Sequence, residues 1–310
     1  GDWAGLSISS AGNTLNYLHV EYANTGVAIG NAGIVDNSII VNNNTGVSSS
    51  FLSATIQNST IQNNDRGVYS HLGVTTNIVN NVITNNTDGI YVLCPWNNGC
   101  TPVISNNSIH SNTGQNLKVT GNAYWVIINA ENNWWGSQNV NTIMAGITDY
   151  ADNPALPTAD IFPYLDAPNG NPIGQSYMYG AQNGTISLSN SPYTVLGNMI
   201  VTGFGNVTIQ PGVEFKFAGN YALQVDGVLN AAGTASQRIK FTSNQTAPAR
   251  FTGTAIRSRP ARFKYPKPHR APSNTSAAAT GPPRPGSPSR LSGEPGLLQR
   301  HPVAGKCPPP

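Results

Sequence analysis

Side chains able to do chemistry are sparse in this chain. Within residues 1–145 the carboxylates are Asp2, Glu21, Asp36, Asp65, Asp88 and Glu131, and the strong bases are Arg66 and Lys118. A polysaccharide lyase works with clustered carboxylates on Ca²⁺ and a nearby Arg or Lys base. Glycoside hydrolysis generally sets two carboxylates on either side of one bond. The spacing here suits neither, because the acids fall at different distances from any repeated landmark. "DYADNPALPTAD" (149–160) holds Asp149, Asp152 and Asp160, read first as solvated loop acids and second as a Ca²⁺ loop staple. No other cofactor is expected. His19, His71 and His110 lack metal-ligand spacing. No Ser-His-Asp or Cys-His set and no phosphate loop can be assembled, so no catalytic residue is assigned.

What remains is binding chemistry. Trp96, Trp134 and Trp135 are candidate platforms for sugar rings, in a chain rich in Asn, Thr and Tyr that can bond sugar hydroxyls. The adjacent pair in "AENNWWGS" (130–137) has a competing explanation as an apolar cover over a stack of coils, and that reading is preferred. Cys94 and Cys100 bracket the turn-forming "CPWNNGC". A disulfide there suits an oxidising setting, and two free thiols are the alternative.

The scaffold that positions these residues is an internal repeat. "NSIIVNNNTGV" (37–47), "NSTIQNNDRGV" (58–68), "NNVITNNTDGI" (80–90) and "NNSIHSNTGQN" (106–116) are versions of one phrase, with a degenerate copy at 15–27. Anchored on Val20, Ile40, Ile61, Ile83 and Ile109, the period runs 20, 21, 22 and 26 residues, the last step containing the Cys94–Cys100 loop. A second apolar column runs through Leu15, Val35, Ile56, Ile78 and Ile104, and a glycine column through Gly26, Gly46, Gly67 and Gly89.

Short β-branched runs broken by Asn and Gly exclude helices. A period near 21 fits three short strands per coil, stacked at the strand spacing of about 4.8 Å. The expected fold is all-β, a right-handed parallel β-helix, with Ile and Val stacked inward and the glycines supplying turns with φ > 0. Asn43, Asn64, Asn86 and Asn112 form a further column, expected to be a ladder of amides bonded from coil to coil. In this register Ile128 continues the Ile104 column, and Asn133 and Trp134 take the places of the anchor and its successor.

On these motifs residues 1–145 resemble the right-handed parallel β-helix repeat proteins, related in fold to pectate lyases, and in particular modules of large bacterial and archaeal surface proteins. Such modules often end in "NNWWG", then an Asp-containing segment and "PYL". The matching residues are Asn132 to Gly136, "ITDYADN" and Phe162 to Leu165. Residues 191–243, with Pro211-Gly212 and "IKFTS", resemble the opening of another such module, and "GDWAGL" (1–6) resembles the segment that comes directly after an opening. The resemblance implies a piece of a tandem array, with further modules as its neighbours. "NTDG" (86–89) and "RIK" (238–240) resemble fragments of the polygalacturonase signature, but the paired-aspartate and Gly-His-Gly motifs are missing, so the match is taken as coincidence.

The domain expectation is therefore a β-helix over 1–165, a polar linker over 166–190, an opening segment over 191–249 and a Pro/Arg-rich tail over 250–310. Charged residues make up only 9% of the composition, so polarity comes from Asn, Ser, Thr and Gly. Residues 1–249 carry five basic and twelve acidic side chains, whereas the tail carries eleven basic ones against Glu294 alone. The body is acidic, and no nucleic-acid partner is expected. The tail holds thirteen of the 23 prolines and none of the repeat grammar, and is read as a frameshifted translation or a disordered basic segment. No apolar run is long enough to cross a membrane as a helix. The expected role is a non-catalytic structural or adhesive module at the cell surface or outside the cell, binding polysaccharide or surface glycans. A polysaccharide lyase or hydrolase and an inert spacer are the alternatives.

Overall fold

The computed structural model of the chain describes residues 1–50, 53–71, 75–95 and 100–248. Trp96, Cys307 and the tail from 249 onward lie outside these residues. Three parallel sheets run along one axis, and each of the first five coils contributes one strand to each. The first sheet contains Leu6–Ile8, Thr25–Ile29, Thr45–Ser50, Arg66–His71, Asp88–Cys94, Leu117–Gly121 and Ile147–Thr148. Seven strands from Asn13–Asn16 to Thr158–Asp160 make the second sheet, and five from His19–Glu21 to Ser108–His110 make the third. Parallel neighbours need a long crossover. Here the other two strands of the coil are that crossover, which is why the sequence period equals the strand-pairing offset.

The pairing register reproduces the sequence columns. Val20, Ile40, Ile61, Ile83 and Ile109 stand opposite one another along the third sheet. Leu15, Val35, Ile56, Ile78 and Ile104 do so along the second. Ile40, Ile61, Ile83, Ile109, Ile56, Ile78 and Ile104 are fully buried, and each contributes about 1.5–3 kcal/mol of apolar burial.

Corners between strands are built differently from the expectation. At the second-to-third corner Asn37, Asn58, Asn80, Asn106 and Asn132 have positive φ, and at the next corner Asn42, Asn63 and Asn85 do. Asparagine tolerates this left-handed conformation better than any other side chain of its size, because its amide bonds locally. The residue after each corner turns inward and joins a ladder. "Asn-Asn" is thus a two-residue instruction: the first turns the chain, and the second bonds the coils.

The column of Gly26, Gly46, Gly67 and Gly89 does not turn the chain. These residues lie in strands without positive φ, and the demand on them is space. A Cβ on Gly67 would sit 2.5 Å from the Gly89 carbonyl oxygen, 3.0 Å from Asn86 Nδ2 and 3.1 Å from Ile83 Cγ2. Gly67→Ala is therefore expected to destabilise by about 2 kcal/mol, within the overpacking range. Gly203→Ala, whose Cβ meets nothing within 4 Å, should melt with the wild type in the same thermal scan.

Residues 166–190 are not a linker. They contain the strands Pro172–Ile173, Tyr177–Ala181 and Gly184–Ile186 and the 3₁₀ turn Leu188–Asn190. Tyr177–Ala181 pairs in parallel with Tyr193–Val201, and Gly184–Ile186 with Asn206–Ile209. Tyr179 enters the core of the first coils, donating to Asp149 Oδ2 at 2.9 Å and to the Ala159 carbonyl at 2.7 Å. The polar look of the stretch conceals the alternation of "YMYGA". Downstream strands Glu214–Phe217, Leu223–Val225, Val228–Asn230 and Lys240–Ser243 continue the parallel stacking.

Candidate functional site

The asparagine ladder forms as expected. Asn43 donates its Nδ2 to Asn64 Oδ1, Asn64 to Asn86 and Asn86 to Asn112, each at 3.0 Å. Asn112 passes the chain to Asn116 Oδ1 at 3.0 Å. A second ladder at the other corner runs from Asn81 to Asn107 (3.0 Å) and on to Asn133 (2.9 Å), and the backbone N–H of Ser59 donates into it at Asn81 Oδ1. Sequence reasoning missed this ladder because serine holds its first two places, Ser38 and Ser59. Apart from the half-buried Asn112 and Asn116 these amides are buried, and the scaffold occupies their bonding groups, so they offer nothing to a ligand.

The anchor position of the tryptophan coil falls two residues further along the chain than expected. Val103 faces Asn129, so Ala130 follows Ile104 in its column and Ile128 does not. Ser108 bridges Trp134, which puts Trp135 opposite Ile109 in the anchor column and Asn133 in the second ladder. Trp135 is 3% exposed, so its ring is no platform for a sugar. Trp134 is half-buried beside it. The pair ends the third sheet alone. The first and second sheets each add another strand, Ile147–Thr148 and Thr158–Asp160, and the coils continue.

Cys94 and Cys100 are joined in a disulfide, with Cα atoms 5.4 Å apart and both residues buried. The three aspartates of 149–160 are not gathered round one point. Asp149 accepts from the backbone N–H groups of Ala151 (2.9 Å) and Ala159 (2.8 Å) and from Tyr179. Donors in those positions occupy the lone pairs that a cation would use. Burial, more than these bonds can offset, raises the Asp149 pKa to about 6. Asp152 accepts from the Asp149 N–H, whereas Asp160 faces elsewhere, with Glu131. Among the described residues no three His, Cys, Asp or Glu side chains stand close enough to hold a metal. Nor do the signature-like fragments meet: Asp88 pairs with Lys118 at 3.2 Å, and Lys240 with Glu214 at 2.9 Å.

Two places on the surface do gather binding chemistry. The first is the outward face of the first sheet. Arg66 stands opposite Asp88, Tyr69 opposite Tyr91, and Tyr91 opposite Lys118, as the strand register dictates. The rings of Tyr69 and Tyr91 stack at 5.3 Å, and His71 stacks on Tyr69 at 5.4 Å. The Arg66 guanidinium lies 5.2 and 5.0 Å from the two tyrosine ring centres, and Lys118 Nζ lies 5.4 Å from that of Tyr91. Thr120 donates its hydroxyl to Tyr91 at 3.1 Å. Partial burial lowers the His71 pKa. Arg66 has no carboxylate partner among the described residues. These residues were visible in the sequence, but only the 22- and 27-residue register shows that they share a face.

The second is a groove where the strands after residue 175 pack against the end of the second sheet. Two cavities of about 300 and 240 Å³ share Ile127, Ala181, Gln182 and Asn183 as walls. One is lined by Glu131 and Asp160, the other by Trp125 and Phe204. No sequence signal marked it, because its walls come from several separate segments, from Trp125 to Phe204, with no shared motif.

Residues 4–148 match the family model described as "Right handed beta helix region". No curated protein and no solved structure matches the chain. With parallel strands in register coil after coil and the family match over the same stretch, residues 4–148 form a right-handed parallel β-helix repeat region.

Proposed function

We propose that the chain is a non-catalytic module of a secreted or cell-surface protein, and that it holds an acidic polysaccharide on the outward face of its first sheet. The observation that carries this reading is the stacked Tyr69–Tyr91 pair flanked by Arg66 and Lys118. Tyrosines offer an apolar body and a hydroxyl on a rigid base. Arg66 and Lys118 are two of only five strong bases in residues 1–249, and both lie on this one face. A guanidinium without a carboxylate partner suits a sugar carboxylate or sulfate. The buried disulfide and the charge-poor, Asn-rich surface support an extracytoplasmic setting.

Affinity electrophoresis in gels containing polygalacturonate or alginate tests the reading. The full chain should be retarded, and retardation should weaken with salt. Tyr69→Ala combined with Tyr91→Ala should reduce binding at least tenfold while the thermal midpoint stays within a few degrees. Unaltered retardation in that double variant, or no retardation by any acidic polymer, would overturn it.

A further inference from the structure

The groove bounded by Trp125, Phe204, Glu131 and Asp160 points to a second ligand of opposite charge. We infer that it binds an oligosaccharide bearing free amino groups, a glucosamine-type chain whose ammonium sits between Glu131 and Asp160 and whose next rings lie against Trp125 and Phe204. This inference does not rest on the acidic-polymer reading of the first sheet.

Four observations carry it. At one end Phe204 is 81% exposed on its turn, yet it meets Trp125 edge-on at 5.8 Å, which places an open apolar surface beside the cavity mouth. Exposed phenylalanine held by a second aromatic is a natural seat for the apolar face of a sugar ring. At the other end Glu131 and Asp160 face the cavity, and neither is paired with a cation among the described residues. Each feels the missing partner: burial raises the pKa of Glu131, and burial followed by the Glu131 charge raises that of Asp160 to about 6. An ammonium placed between them would relieve both.

The walls between the two ends are amides with one pole free. Gln182 donates Nε2 to the Tyr179 carbonyl at 2.8 Å, leaving its oxygen for a ligand. Asn183 accepts the Asn206 N–H on its oxygen at 3.0 Å, leaving its NH₂. One acceptor and one donor side by side fit vicinal hydroxyls. The two cavities together, about 300 and 240 Å³, have room for a short oligosaccharide and not merely one ion. The carboxylates also select against acidic sugars, so the two surfaces divide ligands by charge.

Calorimetric titration of the full chain with a glucosamine hexamer and with its fully N-acetylated counterpart tests the assignment. The deacetylated hexamer should bind at least tenfold more tightly. Glu131→Gln with Asp160→Asn should abolish that preference, and Phe204→Ala, at a position too exposed to unfold the protein, should weaken both ligands about tenfold. Tyr69→Ala with Tyr91→Ala should leave both affinities unchanged, which separates this site from the first sheet. Equal binding of the two hexamers, or a preference that survives the carboxylate substitutions, would overturn the inference.

Discussion

Asn86→Ala is expected to lower folding stability by about 3–5 kcal/mol, more than most buried apolar truncations in a chain of this size. Asn86 is fully buried. Its Oδ1 accepts from the Asn64 backbone N–H and from Asn64 Nδ2, both at 3.0 Å. Its Nδ2 donates to the Ile61 and Thr84 carbonyls at 3.1 Å and to Asn112 Oδ1 at 3.0 Å. Alanine removes the acceptor of the Asn64 backbone N–H and the side-chain donor to the Ile61 and Thr84 carbonyls, while Asn64 Nδ2 keeps the Ile40 and Gln62 carbonyls and Asn112 Oδ1 keeps the residue-86 N–H. Each buried group left unsatisfied costs about 1–3 kcal/mol before relaxation. The loss is expected to be less than the sum, because neighbours in one network do not add. Asn44→Ala is the control: Asn44 bonds Asn24 on the exposed side of the same corner and should cost about 0.5 kcal/mol or less. Urea denaturation of both variants gives the comparison. Near-wild-type stability of Asn86→Ala would mean that the ladder decorates the fold without holding it.

Trp135→Ala is expected to cost about 3–5 kcal/mol, the range for emptying a large aromatic site in a core. The ring occupies the place below Ile109 where the anchor column would otherwise end in an open layer. Its indole Nε1–H finds no acceptor among the described residues. That separates size from polarity, because Trp135→Phe keeps most of the volume and removes the orphaned donor. The phenylalanine variant should therefore lie within about 1.5 kcal/mol of wild type. Thermal scans that ranked phenylalanine with alanine would show that the indole nitrogen has a partner after all. Trp134, half-buried, should lose less than its neighbour on truncation.

Much of the first 130 residues was legible in the sequence, since a solenoid writes its pairing offset directly as a repeat period. The Ile and Asn columns needed only counting. What escaped counting was the division of labour within it. Asparagine and glycine both signal turns, and which one turns the chain depends on space. Gly67 lies where the next coil's carbonyl leaves no room for a Cβ, so its column went to packing and the corners to Asn. The register failed at Ile128 for a related reason. Placing Ile128 in the column took a step of 24 residues from Ile104, whereas the pairing repeats the 26-residue step from Ile78 to Ile104 and brings Ala130 into the column. The binding surfaces were less legible still. Tyr69 and Tyr91 follow from the period once surface and core residues are told apart, but the groove joins Trp125 to Phe204 and Asp160 to Gln182 through packing that no repeat encodes.

The division between binding and catalysis is the central claim, and the length of a bound polymer measures it. A polygalacturonate or alginate sample of defined length, incubated with stoichiometric protein and then released by high salt, would be sized by chromatography and assayed for reducing and unsaturated ends. Retention of the polymer at its original length, with no new ends and with retention lost in Tyr69→Ala/Tyr91→Ala, is the predicted result. Shortened chains carrying new ends, at a rate proportional to protein, would contradict it.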